Sequence, residues 1–433
     1  MVRTLNYDHI INRIKNLLEN NYRLNRVTVS DDTSKFVKEL SLKIKSAELL
    51  SIPSGTECLT WVVPQKWIVR EAYIETLYGK RIADFEWNCL YLKSYSAPFK
   101  GKISHQELIS HILYDESRPD SIIYDYRSQY QFGKKTEWGF SLPYNTVKIL
   151  NEKEYFVHID TEFESGTMDV LDWILPGITQ DTIFFAAHTC HPGQVNDGIA
   201  CIAVIMEIFE WLQQKDNRRY TYRAIFGPEY FAAAAFLEHA QQIENLKYGF
   251  YLDMLGNGKK LGFATSFQAN TYIDTITKNV FIHHVQDYVE REYRGLWGND
   301  EMFYDGPDFY IPTVCIGRDS FENYHTDKDN FENCNFDQLL ESIDILKKII
   351  NIFEADCIPV RLYKGPLYLS RYGLYIDPKK NDKGYKNLQN IQTLMNGENS
   401  CMDIASILDI DYEFIKYFVD TLHYNELVTF KNQ

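Results

Sequence analysis

No stretch of this 433-residue chain approaches the roughly 18 consecutive apolar positions that a membrane-spanning helix requires, so no place within a membrane is expected. The opening segment MVRTLNYDHIINRIKNLLENNYRL is interrupted by Asn and Lys every few residues and has no signal-peptide core. A soluble, unexported protein is the expectation. Paired cysteines are missing as well: the eight cysteines stand singly along the chain with no CxxC. Neither a thiolate zinc cluster nor a disulfide framework is indicated, and a reducing cytoplasm suits them. Positive charge is scarce, since 45 Lys+Arg against 60 Asp+Glu leave a net −15. That balance argues against nucleic acid as a partner and suits a protein that binds cations. Repeats and low-complexity tracts do not occur, so solenoid architectures are not expected.

What is present is ordinary globular composition, 45% hydrophobic and 24% charged, enriched in aromatics at 15%. The length corresponds to roughly three domains. Two helical patterns occupy 9–49, with Ile10, Ile11, Ile14, Leu17 and Leu18 in the first and Phe36, Val37, Leu40, Leu42 and Ile44 in the second. From Ser54 to about Asp125, short aromatic runs such as LTWVVP and WIVREAYIE alternate with turn signals and predict a β-rich unit. Apolar strands at 182–187, 222–227, 248–252 and 311–316 then alternate with helices, the rhythm of a mostly parallel sheet covered on both faces. Beyond Pro359, stretches around 402–408 and 412–422 read as helix-turn-helix, with HYNELVTF as a closing wing. The predicted architecture is an α/β core of residues 1–53 and 129–355, a β-rich insertion at 54–128 and a winged-helix-like domain at 356–433.

The chemistry stands where the strands stop. TIFFAA ends in His188, YRAIFG runs into Pro228-Glu229, YGFYL ends in Asp253, and IPTVCI leads through a short loop to His325. Open α/β sheets bind ligands at the carboxyl ends of their strands, so these positions are expected to converge. Asp197, in the loop HPGQVNDG, adds a fifth ligand type. Two His and three carboxylates are nitrogen and oxygen ligands that zinc accepts. With one bridging carboxylate they make two three-ligand positions, suited to hydrolysis of an amide bond.

The run FFAAHTCHPGQVNDGIA resembles the first metal motif of the co-catalytic zinc aminopeptidases and glutaminyl cyclases, and IFGPE, YLDMLG and YHTDKDN resemble its later motifs in the same order. The resemblance implies one metal held by His188, Asp197 and Asp253 and a second by Asp197, Glu229 and His325, with Asp197 bridging. A closer resemblance spans nearly the whole chain. SGTECLTWVVPQKWIVREAYI, HTCHPGQVNDG, GNDE and YHTDKDN are similar to segments of bacterial aminopeptidase-like proteins, often associated with polysaccharide biosynthesis, that carry a β-rich insertion and a C-terminal winged-helix domain.

Three positions depart from the metallopeptidase pattern. Cys190 stands where an Asp usually follows the first His, the customary Glu-Glu pair reads Pro228-Glu229, and Ala200-Cys201 replace a small Ser-Gly pair. Pro228 cannot act as general base. Glu229 or Glu301 is the candidate to replace it, and Asp300 or Glu301, in GLWGNDEMF, to bind a substrate ammonium. His191 reads equally as a site-lining residue or a loop contact, and His283-His284 as helix surface. The tail from Pro359 carries nine basic and nine acidic residues, and its second helix begins with Asp411 and Glu413, which suits packing or a homo-oligomer rather than DNA. The expected function is zinc-dependent hydrolysis of an amide, with one or two ions, acting on a small peptide or amino-acyl conjugate. Its rivals are amide hydrolysis or transfer on a sugar precursor and a non-catalytic metal-containing binding protein.

Overall fold

Runs of β-branched and aromatic residues set the strands, and a run that is apolar at every position ends covered on both faces. The computed structural model describes residues 2–44, 46–131 and 137–431. In chain order the principal elements are α1 (Val2–Asn21), α2 (Asp31–Lys43), β1 (Ala47–Pro53), β2 (Lys66–Thr76), β3 (Arg81–Asp84), β4 (Phe99–Ser104) and β5 (Glu154–Glu164). There follow β6 (Thr167–Leu175), β7 (Thr182–His188), α3 (Ile199–Gln213), β8 (Thr221–Gly227), α4 (Phe231–His239), β9 (Leu246–Asp253) and β10 (Leu261–Ala264). The core closes with α5 (Tyr272–His284), β11 (Val289–Arg291), β12 (Thr313–Arg318) and α6 (Phe336–Ala355).

Eight strands form one sheet in the order β1-β6-β8-β7-β9-β12-β10-β11. Its centre, β8-β7-β9-β12, is parallel throughout, and antiparallel partners flank it on both sides. Every residue of β7 is buried, as its uninterrupted apolar sequence requires. Helices α1, α2, α3, α5 and α6 cover one face around Ile202, Phe209, Ile276 and Leu346. The other face is covered mainly by α4, through Phe231 and Phe236. No described helix is long and apolar enough to cross a membrane.

The β-rich unit is a four-stranded sheet in the order β3-β2-β5-β4 around Trp67, Ile74, Val157 and Ile159. Its extent differs from the expected 54–128. Strand β5, placed in the core from sequence, pairs antiparallel with β2 from Lys66↔Glu164 to Thr76↔Tyr155 and with β4 on its other edge. The physical reason is that EYFVHIDTEFE alternates like any half-buried strand, and its two partners lie dozens of residues upstream. The chain re-enters the core sheet only at β6, which pairs with β1.

The tail contains β13 (Pro359–Arg361), α7 (Asp382–Leu394), α8 (Cys401–Leu408), α9 (Tyr412–Tyr424) and β14 (Val428–Phe430). Helix α9 continues through the first residues of HYNELVTF, and β14 pairs antiparallel with β13 instead of forming a hairpin from that segment alone. The tail's apolar residues, Ile391, Met402, Ile415 and Val419 among them, are continuous with the cluster beneath α3, α5 and α6.

Candidate metal centre

Because β8, β7, β9 and β12 are adjacent and parallel, their carboxyl ends lie side by side at one edge of the sheet. His188 is the last residue of β7 and Asp253 the last of β9. Glu229 follows β8 by one Pro, and His325 follows β12 through a loop, at φ +53°. Asp197 is aimed by the backbone on both sides of it. Its own N–H donates to Asp329 Oδ2 at 3.0 Å, and Asn196 donates to Asp329 Oδ1 through N–H at 3.0 Å and Nδ2 at 2.9 Å. Gly198, at φ +109°, passes so close to His188 that a Cβ would lie 2.7 Å from its carbonyl oxygen and 2.9 Å from its ring. Only glycine lets the loop return beneath the histidine.

Asp197 sits between two imidazoles, with Oδ1 3.0 Å from His188 Nε2 and Oδ2 2.9 Å from His325 Nε2. Asp253 Oδ1 lies 3.7 Å from His188 Nε2, and its other oxygen accepts Asn299 Nδ2 at 2.7 Å. His188 Nε2, Asp197 Oδ2, Asp253 Oδ1 and His325 Nε2 are all buried, and among the described residues none makes a well-directed hydrogen bond. Buried polar atoms left this way cost free energy unless something else satisfies them. Three sets of three ligand atoms each fall within 4.8 Å of one another here: His188, Asp197 and Asp253; His191, Asp197 and His325; and His188, Cys190 and His191, the last through a thiol that lies beneath the two rings. Nitrogen and oxygen donors in that arrangement fit divalent metal ions.

Glu229 is in none of them. Its Oε2 accepts the Tyr130 hydroxyl at 2.6 Å and lies 3.8 Å from His191 Nε2. The sequence therefore brings His188, Asp197, Asp253 and His325 together as expected, while the place foreseen for Glu229 faces His191. Cys190 lies beneath both imidazoles, its Sγ 3.2 Å from His191 Nδ1 and 3.8 Å from His188 Nδ1, and receives the Glu229 N–H at 3.2 Å. Further out, Asp300 Oδ1 accepts the Tyr230 N–H at 2.6 Å, next to Glu229 in the chain. Glu301 does not reach forward as an accessible base. Both its oxygens are taken by the Asn299 N–H, at 3.1 and 2.9 Å, because the short helix Glu301–Tyr304 folds the side chain back on its own loop.

Burial and charge compete across the cluster. Burial works to lower the His188 pKa, yet the Asp197 and Asp253 carboxylates outweigh it and hold it well above the usual value. Burial opposes ionisation of Asp197 too, but His191, His188 and His325 keep its pKa well below normal. Burial raises Glu229 to about 7, opposed by His188 and Tyr130, and raises Glu301 to about 7. Asp300 is pushed well above the carboxylate range by burial and by the charge of Glu229. His191 is driven well below its usual value by burial, against the pull of Asp197.

Two contributors escaped sequence reasoning, a group of tyrosines and a buried arginine. The inserted segment lays Tyr124, Tyr126 and Tyr130 over the centre. The Tyr124 N–H bonds to the His325 carbonyl at 2.9 Å, and the Tyr126 ring lies 4.7 Å from the His325 ring. A cleft of about 910 Å³, lined by Tyr126, Arg127, Tyr324 and His325 among others, opens beside them. Arg26, fully buried, donates to the carbonyls of Thr189, Cys190 and Gln194 at 2.7, 3.2 and 2.7 Å and pins the loop between the first two ligands. His191 was visible in the sequence, but the backbone turn that aims it, at φ +79°, was not. The second histidine cluster, His284 with Asp411 and Glu413, is partly exposed and belongs to the packing of the tail against α5.

Comparison with known proteins bears on the family and the fold. The model of a family described as "Domain of unknown function (DUF4910)" matches residues 15–356. A Clostridium acetobutylicum protein, described as a candidate polysaccharide biosynthesis protein with an aminopeptidase-like domain, is 27% identical over 422 residues, 96% of this chain and 95% of its own length. A crystal structure of a candidate peptidase from the same organism superposes with a TM-score of 0.85 at 26% identity, covering 99% of this chain and 98% of that one. A zinc aminopeptidase from Bacillus subtilis shares the fold at a TM-score of 0.59 and 14% identity, covering 80% of this chain and 94% of its own.

Proposed function

The chain belongs to the DUF4910 family, and from that premise we propose that it is a zinc-dependent hydrolase of the aminopeptidase kind, releasing an N-terminal residue from a small peptide or amino-acyl conjugate. The observation that carries the reading is the convergence of four buried, unsatisfied ligand atoms, from His188, Asp197, Asp253 and His325, at the carboxyl ends of adjacent parallel strands. Zinc ions bound among them would supply Lewis-acid polarisation of the scissile carbonyl. The protein's own residues do the rest. Glu229 is the proton carrier: Tyr130 fixes Oε2 and leaves Oε1 to take a proton during attack and return it to the leaving amine. Tyr124 and Tyr126 pack edge-on against the His325 ring and hold it in place. Asp300, the member of the acidic pair adjacent to Glu229, holds the substrate ammonium, and Glu301 supports the loop.

The name of the Clostridium relative favours a second substrate class for the same chemistry, an amide on a sugar precursor of a polysaccharide. One experiment addresses both. Purified protein is assayed for metal and screened against aminoacyl amides, short peptides and N-acylated amino sugars, with and without a chelator. Turnover lost to chelation and restored by Zn²⁺ is expected, and Asp197→Asn should lose both metal and turnover while staying folded. Metal retained in full by Asp197→Asn sinks the site. Metal without turnover on any amide leaves a metal-containing binding protein.

A further inference from the structure

We infer that His191, rather than Glu229, completes the second metal position with Asp197 and His325, and that Tyr130 of the inserted segment holds Glu229 off that position. The inference rests on the metal-centre reading above and assigns its ligands.

The geometry of His191 is that of a ligand. Its ring centroid lies 4.6 Å from that of His188 and 5.3 Å from that of His325, inside the cluster. A non-glycine residue at φ +79° is strained, and such strain persists where surrounding structure imposes it, most often at functional sites. Metal-binding imidazoles engage their outer nitrogen with a second group, which fixes the ring. Here Nδ1 faces Cys190 Sγ at 3.2 Å, so Nε2 is the nitrogen that faces inward. The same sulfur lies 3.8 Å from the outer nitrogen of His188. One buried thiol at position 190 thus stands behind one imidazole of each metal set.

Glu229 is committed elsewhere. Its Oε2 accepts the Tyr130 hydroxyl at 2.6 Å, and no set of clustered ligand atoms among the described residues includes it. The Tyr130 ring is itself held by stacking on Phe231, 5.9 Å away and nearly parallel at 12°. Exchanging a carboxylate ligand for an imidazole makes the second position one of two histidines and one aspartate, less anionic and richer in nitrogen, which favours zinc over magnesium or manganese.

The test strips the full-length protein of metal and titrates it with Zn²⁺ by calorimetry and elemental analysis, and with Co²⁺ by visible absorption. Wild type should bind two ions. His191→Ala should bind one at unchanged affinity, with the second weakened by more than about 100-fold, beyond the usual cost of losing an outer partner. Glu229→Gln should keep two ions and the wild-type Co²⁺ spectrum. His191→Asp, which restores a ligand, should recover the second ion with an altered spectrum, and this separates lost ligation from misfolding. Two ions in His191→Ala, or the loss of one in Glu229→Gln, overturns the assignment. A wild type that binds two ions in this His191-dependent way yet hydrolyses nothing leaves the inference standing and removes the hydrolase.

Discussion

Glu301 shows how a buried carboxylate can be made to report on its surroundings, since its one neighbouring cation among the described residues, Arg294, stands 3.9 Å away and leaves burial dominant. It is fully buried, accepts the Asn299 N–H, and is raised from 4.5 to about 7 by burial, which outweighs the backbone hydrogen bonds and Arg294. A folded-state pKa above the unfolded one means that the native protein binds the extra proton between those values. Its stabilising contribution is therefore complete below about pH 4.5 and lost as the pH rises through 7. The shift corresponds to about 3 kcal/mol. In the metal-free protein, thermal stability should fall from pH 5 to 8, and Glu301→Gln should make that fall distinctly shallower. Equal slopes in the two proteins would show that the carboxylate is not ionising in that window. At this scale the sequence was most informative where a polar residue stood at a strand's end, as with His188, Asp253 and Glu229, because strand direction alone decides where such a residue goes. It was least informative where a turn or a distant segment decides. His191 depends on one left-handed backbone angle, and Tyr130 meets Glu229 from 99 residues away.

The elements tell the same story in a different form. Strand β7 was legible because a short, aromatic, uninterrupted apolar run such as TIFFAA, set between helical patterns, suits a doubly covered strand, and all its residues are buried. The limits of the β-rich unit were not, because alternation in β5 reports a half-buried face and is silent about which sheet provides the other half. The pairing has an engineering consequence. Excising 54–125 removes both β2 and β4 and leaves β5 with two open edges, an invitation to intermolecular pairing. Excising 54–165 removes the whole sheet, and Pro53 and Thr167 already face each other across the β1/β6 pair, so a short hairpin loop can join them. The longer excision should stay soluble and bind metal, since every proposed ligand lies outside it, but should lose turnover with Tyr130. The shorter one should aggregate. Sedimentation and metal content decide, and a soluble, stable shorter variant would contradict the strand assignment.

For the whole molecule the question is what the tail does, and its docking answers more than its topology. Asn279 on α5 donates through Nδ2 to the Ile410 carbonyl at 2.8 Å and accepts the Tyr412 N–H at 3.1 Å, both buried, just where α9 begins. Alanine at 279 leaves two buried backbone groups unsatisfied, at a cost of about 2 to 4 kcal/mol. Asn279→Ala should lower the melting temperature by several degrees without changing metal content. A helix that reads DNA offers its N-terminal residues to the major groove. Here the N-terminus of α9 packs against α5, capped by Asp411, whose carboxylate accepts the Glu413 N–H at 3.0 Å and lies 3.3 Å from His284 Nε2. The tail's nine basic residues are balanced by nine acidic ones, on a chain of net charge −15. Non-specific affinity for DNA comes almost entirely from phosphate contacts, so little binding is expected at physiological salt. A duplex titrated with the full-length protein should show no salt-sensitive association, and Asn279→Ala, which loosens the α9 N-terminus, should not create any. A steep salt-dependent affinity in either protein would mean that the tail presents a basic face despite its balance, and that α9 leaves the core to do so.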